Sequence, residues 1–176
     1  MHIKIRKEKI MVELTEVRKH ILDNIEKNSR IDLRELAIMI GSTEAEVANE
    51  IAEMEKENII SGYHTLINWE NTSEEKVTAL IEVTVTPQRG IGFDRIAERI
   101  QNFSEVKSIY LMSGGYDFQV LLEEKTMRAV SQFVSEKLST LESVRGTVTH
   151  FVLKKYKDHG TVINEIKEDE RMLVTP

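Results

Sequence analysis

Apolar residues recur at helical spacing from the start of the chain. Leu14, Val17, Ile21, Leu22 and Ile25 predict a first helix over 13–28, which Asn28-Ser29-Arg30 breaks. Asp32 with Glu35 three places on reads as a capping box. It opens a short second helix whose apolar side is Leu33, Leu36, Ala37 and Ile40, and Gly41 ends it. Thr43 is placed to cap a third helix. Glu44 and Glu46 suit its positive end, and Val47, Ile51 and Met54 mark its buried stripe. Ile59 to Ile67 alternates weakly about Gly62, which predicts a small wing or linking strand.

Glu70-Asn71-Thr72-Ser73-Glu74-Glu75 is polar throughout, and the period changes beyond it. Val77 to Val85 is a β-branched run that predicts a strand, and Pro87-Gln88-Arg89-Gly90 turns the chain. Phe93, Ile96, Ala97 and Ile100 space as a helix. Strands are predicted at Val106 to Met112, Phe118 to Leu122 and Val144 to Leu153. Met127, Val130, Phe133, Val134, Leu138 and Leu141 form an amphipathic helix between the last two. The expected fold class is α+β: an N-terminal winged helix-turn-helix followed by a ferredoxin-like βαββαβ domain. The expected boundaries are 1–63 for the first domain, 64–75 for the linker, 76–157 for the second domain and 158–176 for a tail. Thr161-Val162-Ile163 reads as a short strand in that tail.

Composition narrows the function classes. The absence of cysteine excludes disulfides, thiolate metal sites and cysteine nucleophiles. No apolar run reaches the ~18 residues of a membrane span, and the basic start lacks a signal peptide's apolar core, so a cytoplasmic protein without membrane partners is expected. The net charge of −6 is uneven: residues 31–60 hold 8 acidic groups and 2 basic ones. Lys4, Arg6 and Lys7 make the first residues positive. Any polyanion would meet a positive arm and an acidic third helix carrying Glu44, Glu46, Glu50, Glu53, Glu55 and Glu57.

A helical wheel resolves part of that conflict. With Val47, Ile51 and Met54 inward, the opposite side is centred on Ala45, Asn49, Ala52 and Lys56, and the glutamates fall on the flanks. Asn49 is suited to bidentate reading of adenine, Lys56 to a phosphate, and Thr43 stands where a helix N-terminus receives one. Arg34 and the arm residues Lys4, Arg6 and Lys7 add cations. The plainer alternatives are a solvated helix face and a solvated chain end. With glutamates flanking the face, double-stranded DNA binding is expected to be weak and salt-sensitive.

Ser113-Gly114-Gly115-Tyr116-Asp117 reads in two ways. It is a hairpin turn in which Gly-Gly supplies positive φ, or a loop whose glycines let a ligand reach the backbone. Asp117 would pair with a ligand ammonium or cap backbone N–H groups. The histidines (His2, His20, His64, His150 and His159) show no metal spacing, no nucleophile elbow occurs, and Gly90-Ile91-Gly92 lacks the third glycine of a dinucleotide fingerprint. No enzyme, cofactor or metal is expected.

Six stretches in order carry a resemblance: Ile21-Leu22, Arg30-Ile31, Glu35-Leu36-Ala37, Gly41, Ile60-Ser61-Gly62-Tyr63 and Ser113-Gly114-Gly115-Tyr116-Asp117-Phe118. With the element order they make the chain resemble the Lrp/AsnC family over about residues 14–157. The resemblance implies a transcription regulator that dimerises through the ferredoxin-like domain and assembles further, commonly to octamers. It also implies an amino-acid-like effector bound near Gly114, Gly115, Tyr116 and Asp117. Where the family usually brings arginines to the reading helix, this chain has Glu50, Ala52 and Glu53. A rival expectation is an oligomer of the same fold that senses a small molecule but acts through protein partners.

Overall fold

The computed structural model describes residues 13–86 and 92–163. They fall in two compact units, Met1–Thr65 and Leu66–Pro176. Lys4, Arg6 and Lys7, the turn at Pro87–Gly90 and the end of the tail lie outside the described residues.

The first unit is three helices. α1 (Glu16–Ile25) starts later than its apolar spacing predicts, because the Thr15 hydroxyl accepts from the Arg18 N–H and so defines the first turn. α2 (Leu33–Ile40) is capped by the Asp32 carboxylate, which accepts from the N–H groups of Arg34 and Glu35 at 3.0 and 3.1 Å. Gly41 ends it in the left-handed region, φ 71°, where a side chain would be strained. α3 (Glu44–Lys56) follows directly. Ile21, Leu36, Ala37, Val47 and Met54 form the buried core, flanked by half-buried Ile25, Ile40, Ile51, Ile59 and Ile60.

The predicted wing does not form as a strand. Ile59 and Ile60 turn inward to close the core, and residues 61–68 carry no β pairing. A strand needs a neighbour to take its alternate N–H and C=O groups, and no other strand lies in this unit among the described residues. The unit is a helix-turn-helix whose wing positions run without regular structure.

The second unit is a four-stranded antiparallel sheet, ordered β2-β3-β1-β4, with two helices against one face. Its strands are β1 (Val77–Val85), β2 (Val106–Leu111), β3 (Phe118–Glu124) and β4 (Val144–Phe151), with α4 (Asp94–Gln101) and α5 (Met127–Phe133) between them. Register follows the alternation: Ala79, Ile81 and Val83 of β1 sit opposite Leu122, Val120 and Phe118 of β3. These pack with Val85, with Ile96 and Ile100 of α4 and with Val130 and Phe133 of α5. The helix predicted as one piece to Leu141 changes its winding. α5 passes into a π turn, Val134–Leu138. Phe133 and Leu138 are both buried. Five places apart they would diverge by ~140° on an α-helix, and the wider π turn brings them to one side. The strand expected at Thr161–Ile163 is found as β6 (Thr161–Val162), paired with β5 (Lys157–Asp158) through His159 and Gly160. Both turn residues have positive φ, 42° and 79°, as a two-residue hairpin requires.

Candidate functional site

α3 turns a small face outward. Ala45, Asn49, Ala52 and Lys56 are all exposed, as the helical wheel requires. The flanking carboxylates are far from idle. Glu46 completes a capping box: it accepts from the Thr43 N–H at 3.1 Å and the Ser42 hydroxyl at 2.7 Å, while its own N–H donates to Thr43 Oγ1 at 3.2 Å. The Ser42 hydroxyl, then the Thr43 N–H, holds this carboxyl below its ordinary value. Glu50 and Glu57 both accept from Arg18 of α1, Nε to Glu50 at 2.6 Å and Nη1 to Glu57 at 2.7 Å. Glu53 pairs with Lys56 at 3.3 Å, and Glu55 accepts from the Tyr63 hydroxyl at 2.8 Å. Of the six glutamates, five therefore have partners within the unit.

These contacts revise the roles read from sequence. Thr43 has spent both its hydroxyl and its N–H on the box. Glu46 occupies the helix end where a phosphate was expected, so Thr43 fixes that end of α3. Lys56 faces Glu53, but both are exposed enough that the pair is worth only ~0–1 kcal/mol and a phosphate can displace it. Arg34 is exposed in the first turn of α2. Sequence reasoning passed over Arg18. Its signal was present, since Glu50 and Glu57 stand seven apart and so share one side of α3, but nothing in the pattern of α1 said which side α1 approaches.

The glycine loop joins β2 to β3 and is closed by the Met112 N–H donating to the Asp117 carbonyl at 2.8 Å. Of the two roles considered for Asp117, the structure displays the backbone cap. Its Oδ2 accepts from the Val85 N–H at 2.8 Å, and its own N–H donates to the Val83 carbonyl at 3.0 Å. The cap sits where the β1–β4 register shifts between Thr84 and Val85. Tyr116 is half-buried, its hydroxyl donating to Gln119 Oε1 at 2.7 Å. Gly114 and Gly115 do not take positive φ, against the expectation for a Gly-Gly hairpin, and a Cβ on either would meet nothing within 4 Å. Neither backbone strain nor crowding within one chain calls for glycine there.

The sheet face away from the helices bears Leu80, Glu82, Tyr110, Leu121, Val148 and His150. Val148 is 52% exposed and Tyr110 56%. His150 Nε2 lies 3.1 Å from Glu82 Oε1 across β1 and β4. Among the described residues no group of three metal-ligating side chains occurs, and no helix is long and apolar enough to cross a membrane.

Residues 78–162 match the family model of the Lrp/AsnC ligand binding domain. Over 166 residues the chain is 48% identical to the Uncharacterized HTH-type transcriptional regulator YugG of Bacillus subtilis (strain 168), covering 94% of this chain and all of that one. Among solved structures it is similar to the transcriptional regulator NMB0573/L-Met complex from Neisseria meningitidis. That likeness has a TM-score of 0.67, 23% identity and cover of 83% of this chain and 94% of that one. It is also similar to E. coli AsnC, with a TM-score of 0.65, 18% identity and cover of 87% and 100%.

Proposed function

This chain belongs to the Lrp/AsnC family, whose relatives are HTH-type transcriptional regulators, and from that premise we propose that it is a DNA-binding transcriptional regulator governed by an amino-acid-like effector. The observation that carries the DNA-binding half is the outward face of α3. Asn49 offers a bidentate amide between Ala45 and Ala52, whose small side chains let the helix enter a major groove. Lys56 and Arg34 meet phosphates, joined by the arm residues Lys4, Arg6 and Lys7. With so few cations per copy, binding is weak for a single unit and falls steeply with salt.

The effector half rests on the β2–β3 loop. Gly114 and Gly115 leave the backbone bare where one chain has no need of it, which suits close approach by a ligand or a second copy. Asp117 holds the loop by capping Val85, and Tyr116 closes its inner side. A homodimer forms by apposing the open sheet faces, burying Leu80, Leu121, Tyr110 and Val148, and dimers associate further about the glycine loops. Effector binding then biases one assembly, which sets the spacing of the α3 helices on DNA.

The test is a pull-down of sheared genomic fragments with the purified protein, followed by sequencing, with and without a mixture of the common amino acids. Enrichment of discrete fragments that changes with the mixture is the expected result. Fragments recovered in proportion to their abundance would refute sequence reading. Unchanged enrichment, together with no calorimetric heat for any amino acid, would refute the effector.

A further inference from the structure

We infer that Arg18 is a positioning residue for the DNA-reading face, setting the roll of α3 about its axis and cancelling two carboxylates that would otherwise face phosphates. The inference rests on the DNA-binding reading above. α3 is anchored by a narrow stripe, with only Val47 and Met54 fully buried. A roll of ~40° would bring Glu53 to the angular place of Asn49. Glu50 and Glu57 each follow one of the buried pair by three places, so both stand at the same edge of the stripe, two turns apart.

Arg18 reaches that edge from α1 with three separate donors: Nε to Glu50 at 2.6 Å, and Nη1 and Nη2 to the two oxygens of Glu57 at 2.7 and 3.4 Å. Its side chain is only 13% exposed, which restricts the guanidinium to this geometry. A planar fork fastened to two turns of a helix resists both roll and slide, and a lysine's point charge does not reproduce it. The same contacts place a cation among the carboxylates nearest α1. The acidic composition of α3 thus serves its attachment to α1 and leaves the outward face small and nearly neutral.

The experiment uses the full-length protein and two duplexes: a genomic fragment enriched by the wild type, and a scrambled duplex of equal length and composition. Affinity for each is measured at two salt concentrations, with folding checked by thermal melting. R18K should hold the salt slope but lower the ratio of the two affinities about tenfold, the loss of one base-reading contact. The double variant E50A/E57A should bind the scrambled duplex more tightly, having shed two negative charges, yet lose the same discrimination. A folded R18K or E50A/E57A protein that keeps the wild-type ratio overturns the inference. If R18K fails to fold, E50A/E57A decides alone, because both carboxylates are partly exposed and Arg18 stays in place. A wild type that shows no discrimination between the duplexes refutes DNA reading itself, and the Arg18 inference falls with it.

Discussion

The two units are held together by different means. The βαββαβ unit buries twelve apolar residues in one cluster drawn from the central strands β1 and β3, both helices and the π turn, with β2 and β4 adding half-buried residues at its edges. The helix-turn-helix buries five and adds a ring of polar ties: Thr15, Asp32 and the Thr43–Glu46 box at its helix starts, and Arg18 between α1 and α3. Apolar burial has no charge to titrate or screen, whereas carboxylate caps and ion pairs do. The part proposed to bind DNA is therefore the part whose geometry depends on charge, and the part proposed to assemble is the one with the larger core.

The sharpest way to break this contrast is to remove a core residue from each unit. Phe118→Ala takes away a fully buried ring that meets Phe93 edge-on at 5.9 Å, and should cost the sheet unit ~3–5 kcal/mol in denaturant melts. Met54→Ala, at an equally buried site in the smaller core, should cost ~2–5 kcal/mol and leave the first unit largely unfolded at room temperature. Were the first unit to tolerate it, its polar ties would be stronger than described.

Acid offers the next test. The Glu46 carboxyl is depressed in the folded state, so its contribution is fully present above the ordinary carboxylate value of 4.5 and is lost as pH falls through the lower folded value. Glu105 of the sheet unit, held down chiefly by Lys137, behaves alike, but there a larger core remains. Helical signal from α1 to α3 should disappear at higher pH than the sheet signal when both are followed by NMR. Simultaneous loss would show that the cores, and not the caps, set acid stability.

Single caps and glycines come last. Thr43→Ala should lower the stability of the first unit by ~1 kcal/mol and blur base discrimination, since α3 loses its fixed start. Gly114→Ala should leave the melting of the sheet unit within ~0.5 kcal/mol, because its φ is negative and its Cβ meets nothing, while reducing the amino-acid response. A drop in stability as large as that of a core variant would return the glycine to a structural role.

Much of this architecture was legible in residue spacing. Val47 and Met54 announced the inner side of α3, Ala45, Asn49, Ala52 and Lys56 its outer side, and the alternation in β1 and β3 their register. What escaped was decided by partners distant in sequence. The wing run alternates but meets no pairing strand among the described residues. The π turn answers to where Leu138 must be buried. Arg18 meets Glu50 across 32 residues. Gly114-Gly115 looked like a positive-φ turn because composition carries no dihedral, and Asp117 revealed its backbone cap only once the register shift beside Val85 was in view.

In the function proposed above, the outward face of α3 reads base pairs through Asn49. That role is tested most directly by comparing wild type and Asn49→Ala for affinity to a genome-enriched duplex and to its scrambled counterpart at low salt. Loss of the amide should cost ~1–3 kcal/mol on the enriched duplex and leave the scrambled one unaffected. An Asn49→Ala protein that retains the wild-type ratio of affinities would show that Asn49 does not read base pairs.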